Sequence, residues 1–189
     1  MRIPRGAARI AAIGGLLACA VLMIPGAAHP DDRTSLERRV KAAFLYKFTG
    51  YIEWPAHAFH EANSPLVIGV VGDRTLASAL ARVVEGHTAG ARPIVVRTVD
   101  DVSATGDLHM IVVSRTRSEV LGQLKAAAPR PLLVVSETPG GLADGSMINF
   151  SLVEGRVRFE IALPAAERAG LTLSSRLLAV AQSVVTQAH

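Results

Sequence analysis

The chain has 189 residues, half of them hydrophobic, which is enough for one domain with a core and too little for two ordinary domains. Its formal charge is +4 at pH 7. Three arginines and no acid lie in residues 1–28, so the charge falls to +1 once that segment is set aside. Composition and charge exclude a disordered chain and give no reason to expect a nucleic-acid-binding protein.

Residues 1–28 have the order of a secretory signal peptide. A start with three arginines precedes a long apolar run, and small residues lead up to Ala28. We therefore predict export with cleavage after Ala28, which leaves residues 29–189 as the mature protein. The alternative is a single-span anchor, because the apolar run is almost long enough to cross a bilayer.

A second cleavage point lies inside the leader at residues 16–19, where LLAC has the form of a lipoprotein box. Processing there would place a lipid on Cys19. The apolar run continues well past Cys19, which favours the first cleavage point. Cys19 is the only cysteine, so the exported domain has no disulfide and is held together by core packing.

The first predicted element of the exported chain is an amphipathic helix. Thr34 and Glu37 have the spacing of a capping box, and Pro55 is expected to end the helix at or just before Trp54. At 100° per residue, one broad apolar arc contains Leu36, Val40, Ala43, Phe44, Phe48, Tyr51 and Trp54.

Lys47 falls near the centre of this arc and needs an explanation. Its stem can cover apolar surface while the ammonium reaches water. It can also pair with a carboxylate, for which Glu160 is a candidate, because an unpaired buried ammonium costs several kcal/mol. The third interpretation is that this part of the arc is a surface for a partner.

Strand and helix patterns alternate through the middle of the chain. Apolar runs typical of strands buried on both faces occupy residues 65–73, 92–99, 108–114 and 130–137. Helical spacing of apolar residues is found at 74–86 and 117–128. The alternation predicts an α/β fold whose mainly parallel sheet has helices on both faces.

The pattern changes near the C-terminus. Two segments of period-2 alternation are joined at Glu154 and Gly155, which predicts a β-hairpin at an edge of the sheet with one face toward solvent. A closing helix is predicted over residues 164–185, with a break near Gly170. We therefore expect residues 29–189 to form a single α/β domain with a C-terminal hairpin and a closing helix.

Gly72, Asp73 and Arg74 follow the first buried strand, where open α/β sheets usually bind ligands. They form neither a dinucleotide fingerprint nor a P-loop. The simpler interpretation is a tight strand-to-helix turn in which Asp73 caps the helix. We keep these three residues as candidate ligand-binding residues.

No constellation of residues indicates an enzyme. His57 and His60 lie near two glutamates, but Pro55 interrupts any helix that would align them on a metal, so we interpret this stretch as a solvated loop. The serines lack a nucleophile-elbow setting, and His109 has no evident role as a base. We therefore predict no catalytic residue, no metal site and no cofactor.

The run VKAAFLYKFTGYIEWP, residues 40–55, resembles the opening of the YfiR-like periplasmic proteins. The likeness continues, in order, through LVIGVVGD, RPIVVR, HMIVVSRT, PLLVVSETPG, GSMINFSLVEGRVRFEIAL and AAERAGLTLSSRLLAVA. The resemblance implies a periplasmic regulator that binds and represses an inner-membrane diguanylate cyclase, or another membrane sensor, through its periplasmic domain. Cyclic di-GMP would fall as a result.

The resemblance also guides the choice of site residues. We assign partner binding to Lys47, Tyr51, Glu53 and Trp54, in the stretch that carries the likeness. The alternative function is a periplasmic small-ligand sensor that uses the carboxyl ends of the strands. The sequence leaves a homodimer open as a further assembly. Disulfide-dependent control is not carried over from the family, because the exported domain has no cysteine.

Overall fold

A computed structural model describes residues 30–127 and 129–187. In chain order the helices and strands are α1 (Pro30–Tyr51), β1 (Ile52–Glu53), β2 (Leu66–Val71), α2 (Arg74–Val84), β3 (Thr88–Ala89), β4 (Arg92–Thr98), β5 (Met110–Val113), α3 (Glu119–Ala126), β6 (Leu133–Ser136), β7 (Ile148–Val153), β8 (Arg156–Ala162), α4 (Leu163–Arg168), β9 (Thr172–Leu173), α5 (Ser175–Val180) and β10 (Ser183–Val185). The predicted signal peptide, with Cys19 and Ala28, lies outside the described residues.

The main sheet has eight strands in the order β10-β8-β7-β6-β5-β2-β4-β3. All neighbours are parallel except the pairs β7–β8 and β3–β4. Every residue of β2, β5 and β6 is buried, as the continuous apolar runs predict. The prediction of an α/β fold with a mainly parallel sheet is confirmed.

Helices cover both faces of this sheet, which confirms that part of the prediction. On one face, Leu45 and Phe48 of α1 and Leu80 of α2 share a core with strand residues. On the other face, Val120 and Leu121 of α3 pack over β2, β5 and β6. The sheet is therefore the middle layer of a three-layer domain.

Four phenylalanines join α1 to the hairpin formed by β7 and β8. The rings of Phe48 and Phe159 are 5.1 Å apart between centroids, and those of Phe44 and Phe159 are 5.4 Å apart. Phe150 stacks on Phe48 at 5.9 Å. Such pairs contribute about 0.5–1.5 kcal/mol each beyond the area that they bury. Most of the aromatic residues in the run of residues 40–55 therefore belong to the core or pack against it.

The buried face of α1 differs from the predicted arc. The helix already includes Thr34, so the predicted capping box is wrong, and it ends at Tyr51. Leu36 is 59% exposed and Tyr51 is 36% exposed. The side chains that are buried are those of Lys41, Ala42, Leu45, Phe48 and Thr49.

Lys47 is exposed, so its predicted place near the centre of a buried arc is wrong. Among the ion pairs of the described residues, none joins Lys47 to Glu160. The buried lysine of α1 is Lys41, which lies on a different face of the helix from Lys47. Charged and apolar side chains are mixed on all faces of α1, so a helical wheel cannot locate the face that the rest of the domain covers.

The hairpin turn agrees with the prediction. Glu154 and Gly155 both have positive φ, 52° and 72°, as the two central residues of a type I′ hairpin turn require. The predicted position at an edge is wrong, because β10 pairs in parallel with β8 and lies outside the hairpin. The closing helix does break near Gly170, but it ends at Val180 and β10 follows it.

Candidate functional site

The carboxyl ends of β2 and β6 contact the middle of α1, and the predicted ligand-binding residues lie there. The Asp73 side chain accepts a hydrogen bond from the Leu76 N–H at 2.8 Å, so Asp73 caps α2. Its other carboxylate oxygen lies 3.6 Å from Nε of Arg38. Both oxygens of Asp73 are therefore engaged within the protein.

Gly72 and Arg74 flank this cap. Gly72 has φ +81°, and a Cβ there would overlap the side-chain oxygen of Ser114, so only glycine fits without strain. Arg74 is exposed and lies 3.5 Å from Asp100, an exposed carboxylate. The three residues form the turn that the simpler interpretation expected, and their use in ligand binding stays a prediction.

Lys41 is the centre of a charged cluster next to this turn. Its ammonium donates hydrogen bonds to the carboxylates of Glu37, one helical turn earlier, and Glu137, at the end of β6. Burial by itself lowers the pKa of Lys41, but the hydrogen bonds to Glu137 and Glu37 outweigh burial and raise it above its usual value. Lys41 is therefore charged at any physiological pH.

A buried polar network lies behind this cluster. Oδ1 of Asn149 accepts hydrogen bonds from the Ser136 hydroxyl at 2.7 Å and from the Thr138 N–H at 3.1 Å. Ser146 lies 2.9 Å from Ser136, oxygen to oxygen. The Thr138 hydroxyl is buried without a hydrogen-bond partner in the described part of the chain. The network ties β6 to β7 across the turn between them.

This end of the sheet holds charges that neutralise one another. Lysine and arginine face carboxylates directly, and the Ser136 hydroxyl bonds to the Asn149 amide and to Ser146. Within residues 30–127 and 129–187, no group of three or more metal-ligating side chains comes together. These ion pairs hold α1 in place on the sheet.

His109 organises the opposite end of the sheet, which the sequence did not reveal. Its Nδ1 accepts a hydrogen bond from the Val67 N–H at 3.1 Å, so Nε2 carries the proton and donates to Ala58 O at 3.0 Å. Its ring stacks on Phe59 with centroids 4.3 Å apart. Burial lowers the pKa of His109 and keeps the ring neutral.

The predicted partner-binding residues also lie at this opposite end. Lys47, Tyr51 and Glu53 are exposed there. Trp54 is half-buried, and its indole N–H donates to His109 O at 2.9 Å. Arg38, which contacts Asp73, and Tyr51 are separated by about 20 Å along α1, so the predicted partner surface and the predicted ligand turn are separate sites.

A family comparison adds to this geometry. A family model described as YfiR/HmsC-like matches residues 38–182. The chain belongs to the YfiR/HmsC-like family. A search of curated proteins found no match.

Three general properties of the family bear on the function of this protein. The YfiR/HmsC-like proteins are regulators rather than catalysts, they are periplasmic, and they are associated with control of membrane signalling proteins. No helix among the described residues is long and apolar enough to cross a membrane.

Proposed function

We propose that the protein is exported to the periplasm, binds the periplasmic part of an inner-membrane diguanylate cyclase and holds that enzyme inactive. Cyclic di-GMP falls as a result. The observation that carries the proposal is the YfiR/HmsC-like match over residues 38–182. The proposal includes cleavage after Ala28 and a single domain over residues 29–189.

The geometry of the carboxyl ends supports a binding role over a catalytic one. A catalytic carboxylate or lysine must come within hydrogen-bond distance of a group on the substrate. Lys41, Asp73 and Glu137 each bond to another part of the domain instead. Their charges stabilise the fold.

We place the partner contact on Lys47, Tyr51 and Glu53. Their side chains are exposed on the last two turns of α1 and on β1. Trp54 supports this surface from below, because its indole N–H is bonded to the backbone at His109. β1 pairs with β9, and the Ser174 N–H donates to Tyr51 O at 2.9 Å, so the contact lies on a rigid part of the domain.

Repression needs the protein to bind the inactive state of the cyclase more tightly than the active state. A difference of about tenfold in affinity corresponds to about 1.4 kcal/mol and shifts the cyclase equilibrium by the same factor. No catalysis by the regulator is required.

The test compares point variants in a strain from which the chromosomal gene has been deleted. Deletion is expected to raise cyclic di-GMP and biofilm, and the unaltered gene to restore both. The variants Lys47→Glu and Tyr51→Ala are expected to fold normally but fail to restore repression. Arg39→Glu, also exposed on α1 but about two turns before Lys47, is the matched control.

Two outcomes contradict the proposal. One is unchanged cyclic di-GMP after deletion, with no membrane protein crosslinked to the regulator in cells. The other is full repression by a stable Lys47→Glu, Tyr51→Ala double variant, which would move the contact elsewhere. Sedimentation of the purified protein tests the homodimer separately.

A small-ligand sensor is a second candidate, favoured by one observation. The domain contains a cavity of about 780 Å³, within the range of small-molecule sites. The predicted turn of Gly72, Asp73 and Arg74 does not line it. A sensor function would therefore use a different part of the domain from the one that the sequence indicated.

A further inference from the structure

The cavity of about 780 Å³ lies beside α3 on the second face of the sheet. Leu132 and Val134 of the β6 region and Met147 before β7 line it, together with Leu124 of α3 and Val185 of β10. All five side chains are apolar. The eight residues of α3 pack mainly over β2, β5 and β6, and the cavity opens next to them.

Positive charge is concentrated at this apolar cavity. Lys125, Arg130 and Arg168 line it, against a single acid, Asp101. Asp101 already accepts hydrogen bonds from the backbone and side chain of Ser103. The excess of cations makes the cavity complementary to an anion.

Arg130 is the cation best placed to hold a charged group. It is half-buried, and its Nη2 donates to the Thr105 hydroxyl at 2.8 Å. No ion pair of the described residues includes Arg130. A guanidinium has five N–H donors, so most of those on Arg130 remain for a ligand. Burial lowers the pKa of Arg130, which indicates that its charge is held in a partly dehydrated place.

We propose that this cavity binds a single-chain anionic amphiphile, with its apolar chain over Leu132, Val134 and Met147 and its anionic head at Arg130. An apolar cavity with a few convergent polar groups is the usual form of a small-molecule site. A guanidinium suits a carboxylate, sulfonate or phosphate head because it offers two parallel N–H donors. The proposal rests on the cavity alone and does not depend on the repression of a cyclase.

The probe is dodecanoate, titrated into the purified exported protein by calorimetry below the concentration at which it forms micelles. We expect saturable binding of one molecule per chain. Dodecyltrimethylammonium, with the same chain and the opposite charge, is expected to bind at least tenfold more weakly. Butyrate, with the same head and a short chain, is expected to bind at least tenfold more weakly as well.

Two variants test the two halves of the site. Arg130→Gln is expected to weaken dodecanoate binding about tenfold, because it removes a charge-assisted hydrogen bond. Ala165→Phe places a ring into the cavity from α4 and is expected to abolish binding. The matched controls, Arg176→Gln and Ala179→Phe, alter exposed residues of α5 that do not line the cavity and are expected to leave binding unchanged.

Several outcomes overturn the proposal. They are absence of dodecanoate binding, equal binding of the cationic amphiphile, and equal loss of binding in the control variants. Association only with vesicles that contain phosphatidylglycerol also overturns it, because it would mean adsorption to a lipid surface. If Ala165→Phe fails to fold, Ala143→Phe, at an exposed lining position, replaces it as the blocking variant.

Discussion

The ammonium of Lys41 and the carboxylate of Glu137 form a hydrogen bond although 96 residues separate them in the chain. The pair joins the middle of α1 to the end of β6, in the middle of the sheet. Glu37 completes it from the preceding turn of the helix. The aromatic cluster of α1 and the hairpin adds apolar contacts to the same helix. The helix that carries the proposed partner surface is thus held by both charged and apolar contacts.

Replacing Lys41 by methionine should destabilise the domain by about 3 kcal/mol, because it leaves the Glu137 carboxylate largely buried and without its cation. Urea denaturation of the purified protein measures the change. Lys47→Met, at an exposed position of the same helix, should change the free energy of unfolding by less than about 0.5 kcal/mol. Equal losses for the two variants would contradict the role of Lys41.

Replacing Thr138 by valine should stabilise the domain by about 1 kcal/mol. The Thr138 hydroxyl is buried without a partner among the described residues, and valine removes that unsatisfied group at nearly constant volume. Ser136→Ala should have the opposite effect, a loss of about 1–2 kcal/mol, because the Ser136 hydroxyl bonds to Asn149. Thermal and urea denaturation measure both. A destabilised Thr138→Val would mean that its hydroxyl has a partner, such as a bound water.

Replacing Gly72 by alanine should cost about 2 kcal/mol. The residue has φ +81°, which an L side chain rarely adopts, and a Cβ would also overlap the Ser114 side chain. Gly86→Ala is the matched control, since φ there is +72° but a Cβ would meet open space. Urea denaturation should show a smaller loss for Gly86→Ala, of about 1 kcal/mol. Equal losses would mean that the overlap at Gly72 is relieved by a small shift.

The sheet was predictable because a strand that is buried on both faces has a recognisable run of apolar residues in the sequence. The segments that form β2, β5 and β6 are apolar except for Ser136 at the end of β6, and turn residues lie at their ends. The cap at Asp73 and the turn at Gly155 are also local, since each depends on residues at most three apart. Such features can be read without knowing the rest of the fold.

The buried face of α1 and the cavity were not predictable, because both depend on contacts between residues far apart in the chain. Contacts with residues far away in the chain determine which face of α1 is buried. Lys41 is hydrogen-bonded to Glu137, and Phe48 packs against Phe159. The strand β10 depends on its pairing with β8, the outer strand of the hairpin. The cavity is lined by residues from Asp101 to Gln187, so no short motif marks it. Long-range packing decided each of these features.

Acidification should loosen the end of the sheet that His109 organises. The pKa of His109 is lowered in the folded protein, so below pH about 6.5 the unfolded chain binds a proton more readily than the folded one. The stability that neutral His109 contributes is therefore present above about pH 6.5 and is lost as the pH falls below it. The slope is up to about 1.4 kcal/mol per pH unit.

Urea denaturation between pH 7 and pH 5.5 measures this effect before most carboxylates titrate. His109→Gln, which cannot titrate, should be less stable at pH 7 but should show a flatter dependence on pH across that range. His57→Gln, at an exposed position of the neighbouring loop, should keep the original slope. Retention of the full slope in His109→Gln would assign the pH dependence to another group. Protonation also converts Nδ1 into a donor that faces the Val67 N–H, so hydrogen exchange at Val67 should accelerate first.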